Sequence, residues 1–354
     1  MASELEGLRR GVNTLVVLSL FALAYVARDL LLPVLAGLLI ALTLRPFSRG
    51  MQRAGFPPGV AAFVLILGVT FLLLALALGS AGAVNALVDE SATMQFQLKQ
   101  RLRGLFLSIN DMQNATKEVE DMARMGEPEK TEVVVQQPSL LNSAVSSAGM
   151  IGGTIAVALV FATFLLASGD VMLTKVVQSF PKLSDKKRAL TTVYEIERNV
   201  SRYLLTITLI NALLGVAVTL AMFAIGLPYP YVWGMMAFAL NFLPYLGALI
   251  GAAIVAAFSV VSFDSLGYAA LAPVAFLTLT TIEGQFVTPT VIGRRLSMNP
   301  IAVFLAVVLW GWLWGIAGAL VAVPILVVFK VICDNTGPLK TFGQFLSGAA
   351  PVTS

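Results

Sequence analysis

The sequence predicts an all-α integral membrane protein, and three observations predict it. Hydrophobic residues fill 58% of the 354 positions and charged residues only 12%, against about 45–50% and roughly 25% in a soluble domain. The mean hydropathy is +0.88, so a soluble fold of this chain could not cover its surface with polar groups. The apolar residues gather into about eight segments, most near the length a helix needs to cross a bilayer.

Val12 to Ala27 is the first segment, and Leu30 to Leu44 follows directly after Arg28 and Asp29. The second is short, which suits a tight hairpin with the first. Glu4 and Glu6 dilute the basic start and a second apolar segment follows at once, so the first reads as a retained anchor rather than a cleaved signal peptide. Val60 to Val84 completes three N-terminal spans within residues 1–84. Residues 85–148 are acid-rich and carry Leu98, Leu102, Leu105, Ile109 and Met112 at alternating four- and three-residue steps. That spacing puts one apolar stripe on an amphipathic helix. The stripe lies on the membrane surface, packs on its own protomer, or meets symmetry mates as the contact of a homo-oligomer.

A fourth span occupies 149–168, and 169–202 form a basic linker with Lys175, Lys186, Lys187, Arg188, Arg198 and Arg202. Tyr203 to Ile225 then opens a core that extends over 203–332, before a tail at 333–354. Arg45, Arg49 and Arg53 stand between spans two and three with no acid among them. Positively charged short loops stay cytoplasmic. Both termini and the 169–202 linker are therefore expected inside, residues 85–148 outside, and the 333–354 tail inside.

Function classes fall away quickly. There is one cysteine, Cys333, and no histidine, which removes disulfide frameworks, Cys-rich metal centres, Ser–His and Cys–His nucleophiles and imidazole relays. No GxxxxGK[ST] loop occurs, so a self-contained ATP-driven pump is not expected. The net charge of +4 fits basic cytoplasmic loops rather than a nucleic-acid surface. The expectation is a transporter rather than an enzyme, with no metal or organic cofactor, the bilayer as partner, and coupling to protons or sodium as the open question.

Two segments are too long. Tyr231 to Phe263 and Pro300 to Ile332 would each run roughly 50 Å as one helix, across a hydrocarbon core about 30 Å thick. Both are interrupted in the middle, the first by Asn241 through Pro244, Tyr245 and Gly247, the second by Gly311, Gly315 and Gly318 and then Pro324. Proline removes a backbone donor and glycine permits positive φ. Backbone freed in this way must be satisfied by protein or by water in a cavity, and paired interrupted segments are the sequence pointer to a transporter's midplane site. Each segment is either a re-entrant hairpin or a long kinked helix. Re-entry keeps Arg294 and Arg295 cytoplasmic, whereas eight simple crossings would place them outside.

Glu283 is the strongest single candidate, because an intramembrane carboxylate is costly and marks a pathway by default. It carries a proton, holds a cation or accepts hydrogen bonds from a polar solute; alternatively it forms an ion pair with Arg294 or Arg295. Gln285, Thr288 and Pro289 extend the same polar break, and Gly293 follows. Asn241 is the second polar candidate, while Asn211 reads as an interhelical hydrogen bond.

At these residues the chain resembles a known family. Leu240-Asn-Phe-Leu-Pro-Tyr-Leu-Gly247 is similar to the signature of the autoinducer-2 exporter family of bacterial permeases. Glu283 to Pro300, Trp310-Gly311 through Pro324, and the approach Gly226 to Gly234 are similar to it too. The resemblance implies a multipass inner-membrane protein that exports the quorum-sensing signal autoinducer-2, or exchanges sodium or lithium for protons. Where family members often carry Gln near the start of span five, this chain has Tyr203 to Asn211 without one. The site is expected where the Asn241–Gly247 break, Glu283–Pro289 and the Gly311–Gly318 break converge. Three functions follow as alternatives: export of a small polar solute, Na+(Li+)/H+ antiport with Glu283 titrating, and a non-transporting oligomeric scaffold.

Overall fold

The computed structural model describes residues 2–83, 140–169, 183–244, 246–292, 298–335 and 339–348. The stripe from Leu98 to Met112 lies outside the described residues, as do Tyr245, Gly293, Arg294 and Arg295. Regular structure within the described residues is helical. Helix α1 spans Ala2–Val26, α2 Arg28–Arg53, α3 Pro58–Ala83, α4 Leu140–Ala167 and α5 Leu183–Ile225. Among the described residues five helices are long and apolar enough to cross a membrane: Arg28–Arg53, Pro58–Ala83, Val193–Ile225, Leu266–Val291 and Pro300–Asp334. Their outer faces are apolar; α3 exposes Phe63, Leu67, Phe71, Leu74 and Leu78, a surface that only lipid or another apolar body satisfies.

Small residues let the N-terminal helices approach. Gly37 of α2 lies against α4 so closely that a Cβ would sit 2.5 Å from the Ala158 carbonyl oxygen. Ala41, Ala62, Ile66, Leu159, Ala162 and Leu166 fill the seam beside it, as expected where helices associate by close van der Waals contact in lipid. Helix α2 runs on to Arg53, past Leu44 where the apolar run ends, so Arg45 and Arg49 project from helix rather than loop. Helix α5 likewise begins at Leu183, well before the apolar run at Tyr203, and absorbs the second half of the basic linker. Glu197 on α5 is buried and receives Arg45 Nε at 2.9 Å and Arg49 Nη2 at 2.8 Å. Arg45 Nη2 also donates to the Gly169 carbonyl at 3.3 Å, so one charge cluster ties α2, the end of α4 and α5 together.

Both overlong segments fold back on themselves. In the first, α6 covers Pro230–Leu240 and α7 covers Leu246–Ser262. The rings of Trp233 and Phe258 pack 4.8 Å apart, whereas a straight helix would separate them by roughly 38 Å. Gly247 lies so close beneath the Leu240 carbonyl that no side chain fits there. The chain then continues as α8, Leu266–Ala269, and α9, Leu271–Ile282, into a five-residue π turn at Glu283–Val287 and α10, Thr288–Ile292.

The second hairpin is α11, Pro300–Asn335, which reverses at Gly315 with φ 66° and ψ −149°. A side chain at Gly318 would run into the carbonyl of Trp310, and one at Gly311 would meet the Ala319 Cβ at 3.5 Å. Residues eight apart in a continuous helix lie about 12 Å from each other. Helix α12, Lys340–Leu346, closes the base of this hairpin. Asn299 N–H donates to the Leu346 carbonyl at 3.0 Å, Met298 bridges Ser347, and Gly343 abuts the Asp334 side chain. One seven-residue helix thus touches both ends of a 36-residue segment.

The Glu283–Pro289 stretch, a polar interruption of the apolar sequence, stays helical as a π turn that leads into α10. Pro289 supplies the reason. A proline ring clashes with the carbonyl four residues before it, and a switch to i→i+5 bonding carries that carbonyl aside. The Thr288 N–H donates to the Glu283 carbonyl, five residues back.

Candidate functional site

Three elements meet halfway along α5. Gly215 and Gly234 face each other, with Gly234 also close against Thr219, so α6 lies directly on α5. This contact delivers Asn241, at the C-terminal end of α6, to Asn211 on α5. The π turn presents Glu283 to the same point.

The Asn241 amide nitrogen donates to Asn211 Oδ1 at 2.8 Å and to Glu283 Oε2 at 3.1 Å. Thr288 Oγ1 donates to Glu283 Oε1. Each carboxylate oxygen therefore holds one donor, and the side chain is only 8% exposed. Hydrogen bonds to an ionised group are the strong ones, and they make such burial tolerable. Among the described residues no Lys or Arg pairs with Glu283; its partners are Asn241 and Thr288. Asn211 is fully buried, and among the described residues its Nδ2 has no hydrogen-bond partner.

Glu283 and Asn241 border a cavity of about 530 Å³. Gln285, Thr288, Pro289 and Pro244 line it too, so the polar candidates read from the sequence come together around one space. Gly247 sits just behind the first hairpin's tip, buried under Leu240. The second hairpin contributes its base, Pro300 and Val303, with Val323 from its returning arm. Its turn does not line the cavity: Gly311, Gly315 and Gly318 lie at the far end, where Trp314 Nε1 donates to the Ala24 carbonyl of α1 at 2.9 Å. Pro324 is buried in the returning arm next to Val323.

Sequence reasoning passed over Tyr203, Thr280 and Thr281, which also line the cavity, and gave Asn211 only a structural part. A signal existed on α5. Tyr203, Ile207 and Asn211 are spaced by four, which places them on one helix face. Nothing local indicated which partner that face would meet. Among the described residues no cluster of three or more His, Cys, Asp or Glu side chains could hold a metal ion.

Comparison with known proteins adds a family. The model described as "AI-2E family transporter" matches residues 14–337. The chain is 26% identical over 324 residues to the "AI-2 transport protein TqsA" of Escherichia coli strain K12, a match that covers 91% of this chain and 90% of that one. It is 26% identical over 315 residues to the "Putative transport protein YhhT" of the same strain, covering 88% and 86%. A "Putative transport protein" of Borreliella burgdorferi is 30% identical over 203 residues, which is 56% of either chain.

Proposed function

The chain belongs to the AI-2E transporter family, and from that premise we propose that it exports a small polar solute across the bacterial inner membrane without hydrolysing nucleotide. One observation carries the reading: a buried carboxylate, held by Asn241 and Thr288, borders a cavity of about 530 Å³ between two folded-back helical pairs. Glu283 is the polar contact for the solute, Asn241 orients it, and Gln285 completes the wall. Autoinducer-2 is the first solute to test, because one relative is named for its transport.

The orientation proposed is termini inside, residues 85–148 outside, and both hairpins re-entrant. One grouping supports that sidedness: Arg45, Arg49, Gly169 and Glu197 gather at one end of the bundle. Neither arm of the first hairpin is long enough to cross alone: 11 and 17 residues reach roughly 16 and 26 Å. Assembly into a homo-oligomer through Leu98, Leu102, Leu105, Ile109 and Met112 belongs to the same proposal.

The test is efflux from proteoliposomes containing the purified chain, with labelled autoinducer-2 and imposed sodium and proton gradients in parallel. Saturable autoinducer-2 efflux that falls at least about tenfold in Glu283→Gln supports the reading, since hydrogen bonds to a charged group are worth about 1.5–3 kcal/mol. Flux unchanged in that variant removes Glu283 from the pathway. Na+(Li+)/H+ exchange is the second reading, favoured by the absence of a basic partner for Glu283 among the described residues. Cation-driven proton movement lost in Glu283→Gln would decide for it. The scaffold alternative predicts no flux of either kind.

A further inference from the structure

The hydrogen-bonding groups around the cavity are not evenly divided between donors and acceptors. Both amide hydrogens of Asn241 are committed, one to Glu283 Oε2 and one to Asn211 Oδ1. Asn241 therefore has only its carbonyl oxygen left to offer. The hydroxyl hydrogen of Thr288 is committed to Glu283 Oε1, and that of Thr280 to the Phe276 and Leu277 carbonyls. A hydroxyl whose hydrogen is used retains acceptor lone pairs alone. Glu283, as a carboxylate, accepts and never donates. Three further lining residues, Pro244, Pro289 and Pro300, have no backbone N–H.

Tyr203, Thr281 and Gln285 are the side chains on the wall still able to donate. No Lys or Arg lines the cavity among the described residues. An anion entering here would meet a carboxylate and few hydrogens, with no cation supplied by the described lining residues. A neutral polyol could donate to the acceptors but would bring two lone pairs for every hydrogen. An ammonium group supplies three donors, no acceptor, and a positive charge to set against the buried carboxylate, whose partners among the described residues are neutral.

We propose that the cavity is specific for small solutes bearing an ammonium group, with Glu283, the Asn241 carbonyl and the Thr288 hydroxyl oxygen as the acceptors that receive it. This rests on the cavity being the solute site, and it excludes autoinducer-2, which carries no ammonium group, so that saturable autoinducer-2 efflux dependent on Glu283 would overturn it while leaving the export reading standing. The volume of about 530 Å³ exceeds what a bare monovalent ion fills and lies within the ordinary range for small-molecule sites. The remaining wall is mostly apolar, with Ile207, Val303 and Val323 able to hold a carbon skeleton.

The experiment uses the full chain in lipid nanodiscs and three pairs of probes that differ only by an ammonium in place of a hydroxyl: methylammonium and methanol, ethanolamine and ethylene glycol, glucosamine and glucose. Affinity is read from thermal-shift titrations, and flux of labelled glucosamine and glucose from proteoliposomes. The expected result is at least about tenfold tighter binding of the ammonium member in one or more pairs, lost in Glu283→Gln and reduced severalfold in Thr288→Val, which keeps the carboxylate. Equal affinity within all three pairs, or a preference that survives Glu283→Gln, overturns the proposal. Glu283-dependent preference without flux would leave the ammonium site standing and remove the transport reading. Flux of glucose equal to that of glucosamine would do the reverse.

Discussion

The two hairpins solve one problem with different chemistry. The first turns over several residues, Asn241 to Leu246, and its tip carries an amide that enters a buried hydrogen-bond network with Glu283 and Asn211. The second turns at a single glycine, and the groups around its tip are tryptophans and small residues packed against one another and α1. Interruption of a membrane helix therefore does not by itself mark a binding site. What distinguishes the first tip is that its polar group faces another polar group on a different helix. The cavity is lined by the tip of one hairpin and by the base of the other.

This division can be broken by substitution. The largest expected effect is at the second hairpin: Gly318→Leu drives a side chain into the Trp310 carbonyl, an overpacking cost of about 3 kcal/mol. The variant should melt well below the wild type, while the surviving folded fraction transports normally. Next comes Asn241→Leu, which removes the donor to Glu283. It should lower flux at least about tenfold, which is about 1.4 kcal/mol of barrier, with a smaller loss in melting temperature. Gly315→Ala forces a side chain into a positive-φ position, costing roughly 1–2 kcal/mol in stability with no change in solute affinity. Abolished binding in that variant would show that the second tip belongs to the site after all. The smallest effect is expected for Trp314→Phe, which loses one hydrogen bond to Ala24, worth about 0.6 kcal/mol in a membrane interior. A drop confined to stability sharpens the contrast; a drop in flux blurs it.

Much of this architecture was legible in the residues. Two apolar runs of more than thirty residues cannot be single spans of ordinary thickness, and the glycines and prolines within them say where they turn. Glu283 was legible for a similar reason, since a charge amid apolar sequence needs an explanation. The chain around it was harder to read. Pro289 marked the backbone as unusual without saying how, and the helix absorbs it by widening into the π turn at Glu283–Val287. Asn211 is an ordinary polar residue in an apolar helix until the fold brings Asn241 to it. Glu197 was hidden within a basic stretch, because Arg45 and Arg49 lie about 150 residues away on a helix expected to end before them. Contacts made across the fold leave no local pattern, so their residues were seen but not paired.

The clasp formed by α12 has a consequence for how the chain is built. Asn299, at the entrance to the second hairpin, is fastened to Leu346, near the end of the chain. Synthesis runs from the N-terminus, so the hairpin enters the bilayer before its fastener has been made. Until Leu346 emerges, the two arms are held by their own glycine-mediated contact and by neighbouring helices. Completion of the cavity wall at Met298, Pro300 and Val303 accordingly waits until Leu346 has been made. A chain stopped before Lys340 should insert with its spans intact yet remain open to protease at Met298 and Asn299, a difference that limited proteolysis of membrane vesicles would register.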